Sequence, residues 1–476
     1  MQLTRYVLRE DRVTGPFYEQ LLLENQQLRE QLAERDRVIA RLEASVRDLQ
    51  ARLAAAEKSA KRQAAPFSKG EPKPDPKTPG RKSGAAHGRH GHRPAPPPDR
   101  VDETYEAPLP DQCPDCGGDV AEDCLDEQYQ TEIPRQPIVR KFNIHCGHCC
   151  QCGQHLRGRH TLQTSDATGA AQSQLGPDAQ AAIVYLNKHA GLSHGKIADT
   201  FDKMFHIKVT RGACAQVVLR AGRKLEPAYQ EIEDKIKHSR YLTPDEIGWR
   251  VGGHPVWLHG WVGDGGATLF AIDSGRSADR LQEVIGIGWS GTMTHDGYST
   301  YNRFEDAVHQ QCVDHALRRA RKLTETQIGM AKKFPLQVID LFTESLGERA
   351  RLNEKGADVD EREVVYEDYV ERLRNLTDRS RTNAANETFA KHLNNNAPSW
   401  FAFVLDPETP ATNHRGEQAL RVPIVNRKVW GGNRTDAGAE AQEVTSSVLA
   451  TCHKRKCNPF TFVSRALRGM LGSLFG

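Results

Sequence analysis

Residues 241–273 read YLTPDEIGWRVGGHPVWLHGWVGDGGATLFAID. Alternation starts at Tyr241, and residues 256–262 and 267–272 are short β-rich runs. Asp264-Gly265-Gly266 between those runs is a hairpin signal. Further on, residues 277–285 have helical spacing, and Thr292–His295 reads as a fourth strand that stops at Asp296-Gly297. Gln311-Cys312-Val313 then leads into a basic helix starting near Ala316. Three strands, a helix, a strand and a helix is the order of a mixed α/β sheet whose loops can carry a site.

Two acids in this block are unusually placed. Asp245 lies on or beside the first strand and Asp296 at the end of the fourth. If those strands are neighbours, the two carboxylates can share a hard divalent cation, and oxygen ligands suit Mg²⁺. Each Asp taken alone is more often a turn former or cap, and a two-metal site needs a third carboxylate. Pro244, lacking an N–H, is out of place in a central strand.

Upstream, residues 18–53 carry a heptad pattern. Tyr18, Asn25, Leu32, Ile39, Val46 and Leu53 fall at position a, and Leu21, Leu28, Arg35, Leu42 and Leu49 at d. Bulky a residues with Leu at d favour two parallel strands, and one Asn at a fixes register. A self-associating coiled coil is the reading. Residues 58–100 then hold nine of the 25 prolines and eleven Lys or Arg against Glu71, Asp75 and Asp99. That local charge exceeds the +3 of the whole chain, and such a segment reads as a disordered basic tether able to hold phosphates.

Cys113-Pro-Asp-Cys116-Gly117 and Cys149-Cys150-Gln-Cys152-Gly153 each place two thiols three residues apart with Gly directly after. The Gly frees the backbone for a turn that faces both sulfurs to one ion, so the pairs suit a closed four-sulfur Zn²⁺ site. Cys146 with Cys149 has the same spacing without the Gly; Cys150, His145 and His148 lie adjacent. From 175 to 223 the period is helical. Ser193 can cap a helix carrying Ile197, Phe201 and Met204 or Phe205, and Thr210 a second with Val217, Val218 and Arg220. Two short helices with Lys208 and Arg211 nearby suit a helix-turn-helix that contacts DNA.

Eleven cysteines, an odd number, argue against a disulfide framework, and MQLTRYVLREDR has no apolar core of a signal peptide. With a mean hydropathy of -0.64, a cytosolic chain with no membrane association is expected.

The chain resembles the insertion sequence 66 transposases of bacteria. The resemblance runs from the zipper through KRQAAPFSKGEPKPDPKTPGRKSG, CPDCGG and GRHTLQTSDATGAAQSQLGPDAQ to DEIGWRVGG, THDGYSTY and CVDHALRRARKL. It ends in TNHRGEQALR and RKVWGGNRTDAGAEAQE. It implies an RNase H-like core with an Asp, Asp, Glu triad: Asp245 from DEIGW, Asp296 from DGY and Glu417 from RGEQALR. These would hold Mg²⁺ or Mn²⁺ for cleavage at transposon ends and strand transfer into target DNA.

The fold class so expected is multidomain α+β. It comprises a coiled coil (1–57), a disordered basic linker (58–105), a four-Cys zinc-binding module (106–160) and a helix-turn-helix-like segment (161–238). An RNase H-like α/β catalytic core (239–325 and 396–440) then holds a helical insertion (326–395), and a helical extension closes the chain (441–476). The insertion's apolar stripe reads as Leu336, Ile339, Phe342 and Leu346, with residues 364–373 also helical. Arg318, Arg319, Arg321 and Lys322, and Arg421, Arg427, Lys428 and Arg434 with Trp430 among them, fit a polyanionic substrate. Expected partners are double-stranded DNA, a second or further copy through the coiled coil, and accessory proteins of the same element, in the bacterial cytoplasm at the nucleoid. The competing readings are a catalytically silent, zinc-containing DNA-binding protein and a nuclease that cuts without joining.

Overall fold

The computed structural model describes residues 16–60, 95–121, 125, 127–131, 133, 136–167 and 174–476. Most of the basic linker, at 61–94, lies outside the described residues, as do the side chains of Tyr18, Leu21 and Leu53. The chain divides into two units, 1–91 and 92–476.

In the first unit, α1 (Pro16–Ala60) is one unbroken helix of 45 residues. Its seam residues Leu28, Leu32, Ile39, Leu42, Val46 and Leu49 are all more than half exposed. The apolar residues at heptad spacing on this helix therefore face solvent.

The second unit opens with a small hairpin, β1 (Cys146–His148) against β2 (His155–Arg157). Three helices follow: α2 (Pro177–Lys188), α3 (His194–Phe205) and α4 (Arg211–Lys237). Both expected caps are present, since Lys196 N–H donates to Ser193 Oγ (3.3 Å) and Ala213 N–H to Thr210 Oγ1 (3.1 Å). The second helix is not short, however. α4 runs 27 residues and buries a continuous stripe from Cys214 and Val217 through Leu225 to Ile236. Met204 is exposed while Ile197 and Phe201 are buried.

The five-stranded sheet comprises β3 (Tyr241–Val251), β4 (His254–Val262), β5 (Thr268–Asp273), β6 (Thr292–His295) and β7 (Val308–Gln311) in the order β5-β4-β3-β6-β7. The first three pair antiparallel, and β6 and β7 extend the sheet in parallel with β3. Gly252 (φ 58°) and Gly253 (φ 86°) form the two-residue turn between β3 and β4, a conformation that costs other residues strain. Four strands match the sequence reading; β7 was not foreseen there. It is four residues long, half of them on the surface, too short to show a period.

Pro244 sits well inside the central strand, opposite Trp261. The parallel ladder to β6 covers only Tyr241 and Leu242. Beyond Leu242 the neighbouring strand has left, so the missing N–H of Pro244 interrupts no parallel pairing.

Helices cover both faces. On one, α4, α5 (Asp279–Ile285), α12 (Asp436–Lys454) and α13 (Pro459–Leu467) build the largest core. On the other, α11 (His414–Trp430) packs Ala419 and Leu420 against Trp249, Leu258 and Phe270. Along β5, Leu269 and Ala271 face one core and Phe270 the other, as a pleated strand requires. Edge strand β5 is closed by side chains of α12: Thr268 N–H donates to Thr451 Oγ1 (3.0 Å) and Phe270 N–H to Ser447 Oγ (2.8 Å). α12 thus runs through residue 440, where the core was expected to end.

Between β7 and α11 lie α6 (Val313–Thr326), α7 (Lys333–Glu354), α8 (Val359–Thr377), α9 (Ala384–Asn395) and the short α10 (Ala402–Leu405). They enclose a separate core around Phe342, Phe389, Trp400 and Phe401. Of the expected α7 stripe, Phe342 is buried and Ile339 and Leu346 pack against this core, joined by Phe334, Val338 and Leu341, whereas Leu336 is 45% exposed.

Candidate active site

Asp245 is half-buried in β3, Asp296 is exposed directly after β6, and Glu417 lies in the first turn of α11. α11 reaches β3 through Gly416, where an added Cβ would lie 3.2 Å from Asp245 Cβ and from the Thr243 carbonyl oxygen. This close approach sets Glu417 beside the central strand. Burial pushes the Asp245 carboxyl up to about 7. The charges of Glu246, Asp296 and Glu417 push the same way, against a hydrogen bond donated by the Glu246 N–H to Asp245 Oδ1 (2.9 Å). Three carboxylates from distant segments therefore share one electrostatic neighbourhood.

Glu417 is paired. Arg318 of α6 donates from Nη2 to Glu417 Oε1 (3.1 Å) and also pairs with Asp314 (3.0 Å), while His315 Nε2 stands 3.6 Å from the same Glu417 oxygen. Among the described residues no three His, Cys, Asp or Glu side chains come together as a metal ion would need.

Glu246, next to Asp245, has a different part. It is buried and held by Arg276 Nη2 (2.7 Å) and Nε (2.8 Å) and by the Tyr301 hydroxyl (2.8 Å). The Arg276 guanidinium lies over the rings of Tyr298 (4.1 Å) and Trp257 (5.0 Å). Tyr298 belongs to the loop that bears Asp296, and its N–H donates to Asp296 Oδ1 (3.0 Å). The sequence reading left this buried network out; the only signal for it was an acid directly following Asp245. Burial, with the neighbouring His309, pushes His295 down to about 3, so it is neutral.

The two cysteine turns are alike. Gly117 N–H donates to the Cys113 carbonyl and Gly153 N–H to the Cys149 carbonyl, each at 2.8 Å. Both glycines have φ 71°. Backbone N–H groups of Cys116 and Asp115 lower the Cys113 thiol, and those of Cys152 and Gln151 lower Cys149. Cys146 stands apart on β1, and the two turns do not converge among the described residues.

Of the basic candidates, Lys208, Arg211, Arg421, Lys428 and Arg434 are exposed. Arg427 turns inward and donates to the Gly248 carbonyl. Trp430 packs edge-on against Trp249 (5.8 Å) with Lys188 over its ring (5.1 Å), so it is part of the α11 packing rather than free to stack on a base. Arg319 lies over the Phe389 ring of the helical insertion (4.7 Å).

A mixed sheet with one acid on its central strand, one at the next strand's end and one on a crossing helix defines a class of α/β scaffold with polar groups at one edge of its central strand. The family model described as Transposase IS66 family matches residues 172–441, more than half of the chain. The chain belongs to that family, which gives it a transposase role and makes it a DNA-binding, DNA-processing enzyme. No curated protein matches it. Among the described residues no helix is long and apolar enough to cross a membrane.

Proposed function

We propose that this transposase cleaves DNA at the ends of its element and transfers the freed strand into target DNA at the cleft of Asp245, Asp296 and Glu417. The observation that carries this reading is the contact of α11 on β3, where an added Cβ at Gly416 would lie 3.2 Å from Asp245 Cβ, which sets Glu417 beside Asp245. The strand order, three antiparallel strands extended by two parallel ones, supports an RNase H-like core.

An all-carboxylate donor set suits Mg²⁺ or Mn²⁺, and a buried carboxyl surrounded by like charge gains most from a cation. Bound there, such ions supply a polarised attacking oxygen and stabilise the leaving one. Asp245 offers its carboxylate from a rigid strand, and Asp296 from a loop fixed by its own turn. Glu417 is offered by α11 once Arg318 is drawn elsewhere. The Arg318 guanidinium matches a phosphate as well as it matches Glu417, so a DNA backbone entering the cleft competes for it.

Around this centre, the two cysteine turns are half-sites for one Zn²⁺ held by Cys113, Cys116, Cys149 and Cys152. The exposed seam of α1 fits a second copy of the same helix in a parallel coiled coil. Lys208, Arg211, Arg421, Lys428 and Arg434 present surface charge to the DNA backbone.

The test is cleavage and joining of the DNA ends flanking the gene by purified protein with Mg²⁺ or Mn²⁺. Joined product from the wild type, absent from Asp296→Asn and Glu417→Gln, supports the reading. Binding to the ends without any cleavage would overturn it in favour of a silent DNA-binding protein, and cleavage without joining would make the protein a nuclease.

A further inference from the structure

Beneath the Asp296 loop runs a chain of hydrogen bonds that no step above uses. Gly297 N–H donates to His295 Nδ1 (3.2 Å), His295 Nε2 meets His309 Nδ1 (3.1 Å), and His309 Nε2 meets the Phe304 carbonyl oxygen (3.0 Å). A carbonyl only accepts, so His309 carries its proton on Nε2 and presents a lone pair at Nδ1. His295 must then donate from Nε2, leaving its Nδ1 to accept from Gly297. One arrangement of protons on two neutral rings satisfies all three contacts.

The placement of this chain is rigid. His295 has no exposed surface, and the two histidines come from adjacent parallel strands, β6 and β7. Tyr301 packs on the His295 ring at 5.2 Å and donates its hydroxyl to Glu246, the residue after Asp245. Gly297 has φ 89°, a conformation that a fixed amide partner helps to hold. The Gln311 side-chain oxygen crowds the same glycine, 2.7 Å from where a Cβ would stand.

We propose that His295 and His309 are positioning residues for Asp296: the relay from Phe304 to Gly297 fixes the loop backbone and so aims the Asp296 carboxylate into the cleft. This rests on the reading of Asp296 as a ligand for the divalent ion. The prediction is specific about tautomer. Removing His309 frees His295 to move its proton to Nδ1, which would then oppose the Gly297 N–H and displace the loop.

Two measurements test it on the full-length protein. Nitrogen-15 NMR of labelled histidines should show both rings of the wild type as Nε2–H tautomers; an Nδ1–H tautomer at His295 overturns the proposal without any variant. Mn²⁺ affinity, followed by electron paramagnetic resonance, should fall about 10–100-fold in His309→Leu and His295→Leu, the usual range for partners of a metal ligand. His295→Asn, whose side-chain oxygen can still accept from Gly297, should stay near wild type. Asp296→Asn is the control. If Asp296→Asn weakens Mn²⁺ binding and the His295 and His309 variants do not, the relay is only packing and the proposal fails. If Asp296→Asn binds Mn²⁺ as the wild type does, the ligand reading itself fails.

Discussion

The cysteine turns and the carboxylate cleft solve the problem of placing functional groups in opposite ways. Each cysteine turn is complete within six residues, 113–118 or 149–154, closed by two backbone hydrogen bonds and a left-handed glycine. The cleft takes Asp245 from a central strand, Asp296 from the loop after β6 and Glu417 from a helix 121 residues further on. A turn carries its own geometry wherever it is put. The acids come together only because β6 pairs with β3 and α11 lies against β3 at Gly416. Each turn is thus set by its own backbone, whereas packing between distant segments holds the acids near one another.

The largest effect should come from uniting the turns. Structural zinc contributes about 10–16 kcal/mol to the folding of small modules. Purified protein should release one zinc per chain to a chromogenic chelator, and Cys113→Ser or Cys149→Ser should release none. Zinc-free protein with both turns intact would break the comparison, because the turns would then be finished structures.

Next in size is the cleft itself. Asp245→Asn and Asp296→Asn should each lower strand cleavage about a thousandfold, the scale seen when a group that stabilises transition-state charge is lost. Asp296→Asn should melt close to the wild type, whereas Asp245→Asn should melt above it at neutral pH. Glu246→Ala should do the reverse in kind. It takes the acceptor away from the buried Tyr301 hydroxyl and the partner from the exposed Arg276, so denaturant melts should show a loss of about 1–3 kcal/mol. Adjacent acids with opposite losses would sharpen the distinction between a group held for chemistry and one held for packing.

A pH titration of stability measures the crowding at Asp245 directly. Its carboxyl is raised from the ordinary 3.8 to about 7, so the folded state binds a proton that the unfolded state has released. The contribution is fully present below about 4 and lost as pH rises through 7. The stability of wild type relative to Asp245→Asn, from denaturant melts at each pH, should fall across that window, and added Mg²⁺ should oppose the fall. A flat difference would mean that burial does not raise the Asp245 carboxyl. The smallest effect tests the helical insertion: Val338→Ala should cost about 2 kcal/mol, and Leu336→Ala less than about 0.5 kcal/mol.

How much was legible follows the same division. The strand ending at His295, the caps at Ser193 and Thr210 and the glycines of both cysteine turns were readable because each depends on a few adjacent residues. The α7 stripe was legible at Ile339, Phe342 and Leu346 and misread only at Leu336, since Leu336 and Val338 are equally apolar and only neighbouring helices choose between them. Arg427 and Trp430 read as DNA-facing because a sequence shows their chemistry and not that Gly248 and Trp249 claim them first. β7 and the His295–His309 relay gave no usable signal, being four residues and two histidines without local period.

The sequence by itself determined which residues turn, cap and alternate, because torsional preference and hydrogen bonding to near neighbours act within a few residues. From the spacing of its motifs it also carried the family resemblance that the match to residues 172–441 bears out. Only the tertiary structure decided that β3 and β6 part beside Pro244, that Gly416 lets α11 close on Asp245, and that Glu246 is a buried strut rather than a member of the cleft. Those outcomes depend on burial and close packing between segments far apart in the chain, where desolvation and shape, not local preference, select the arrangement.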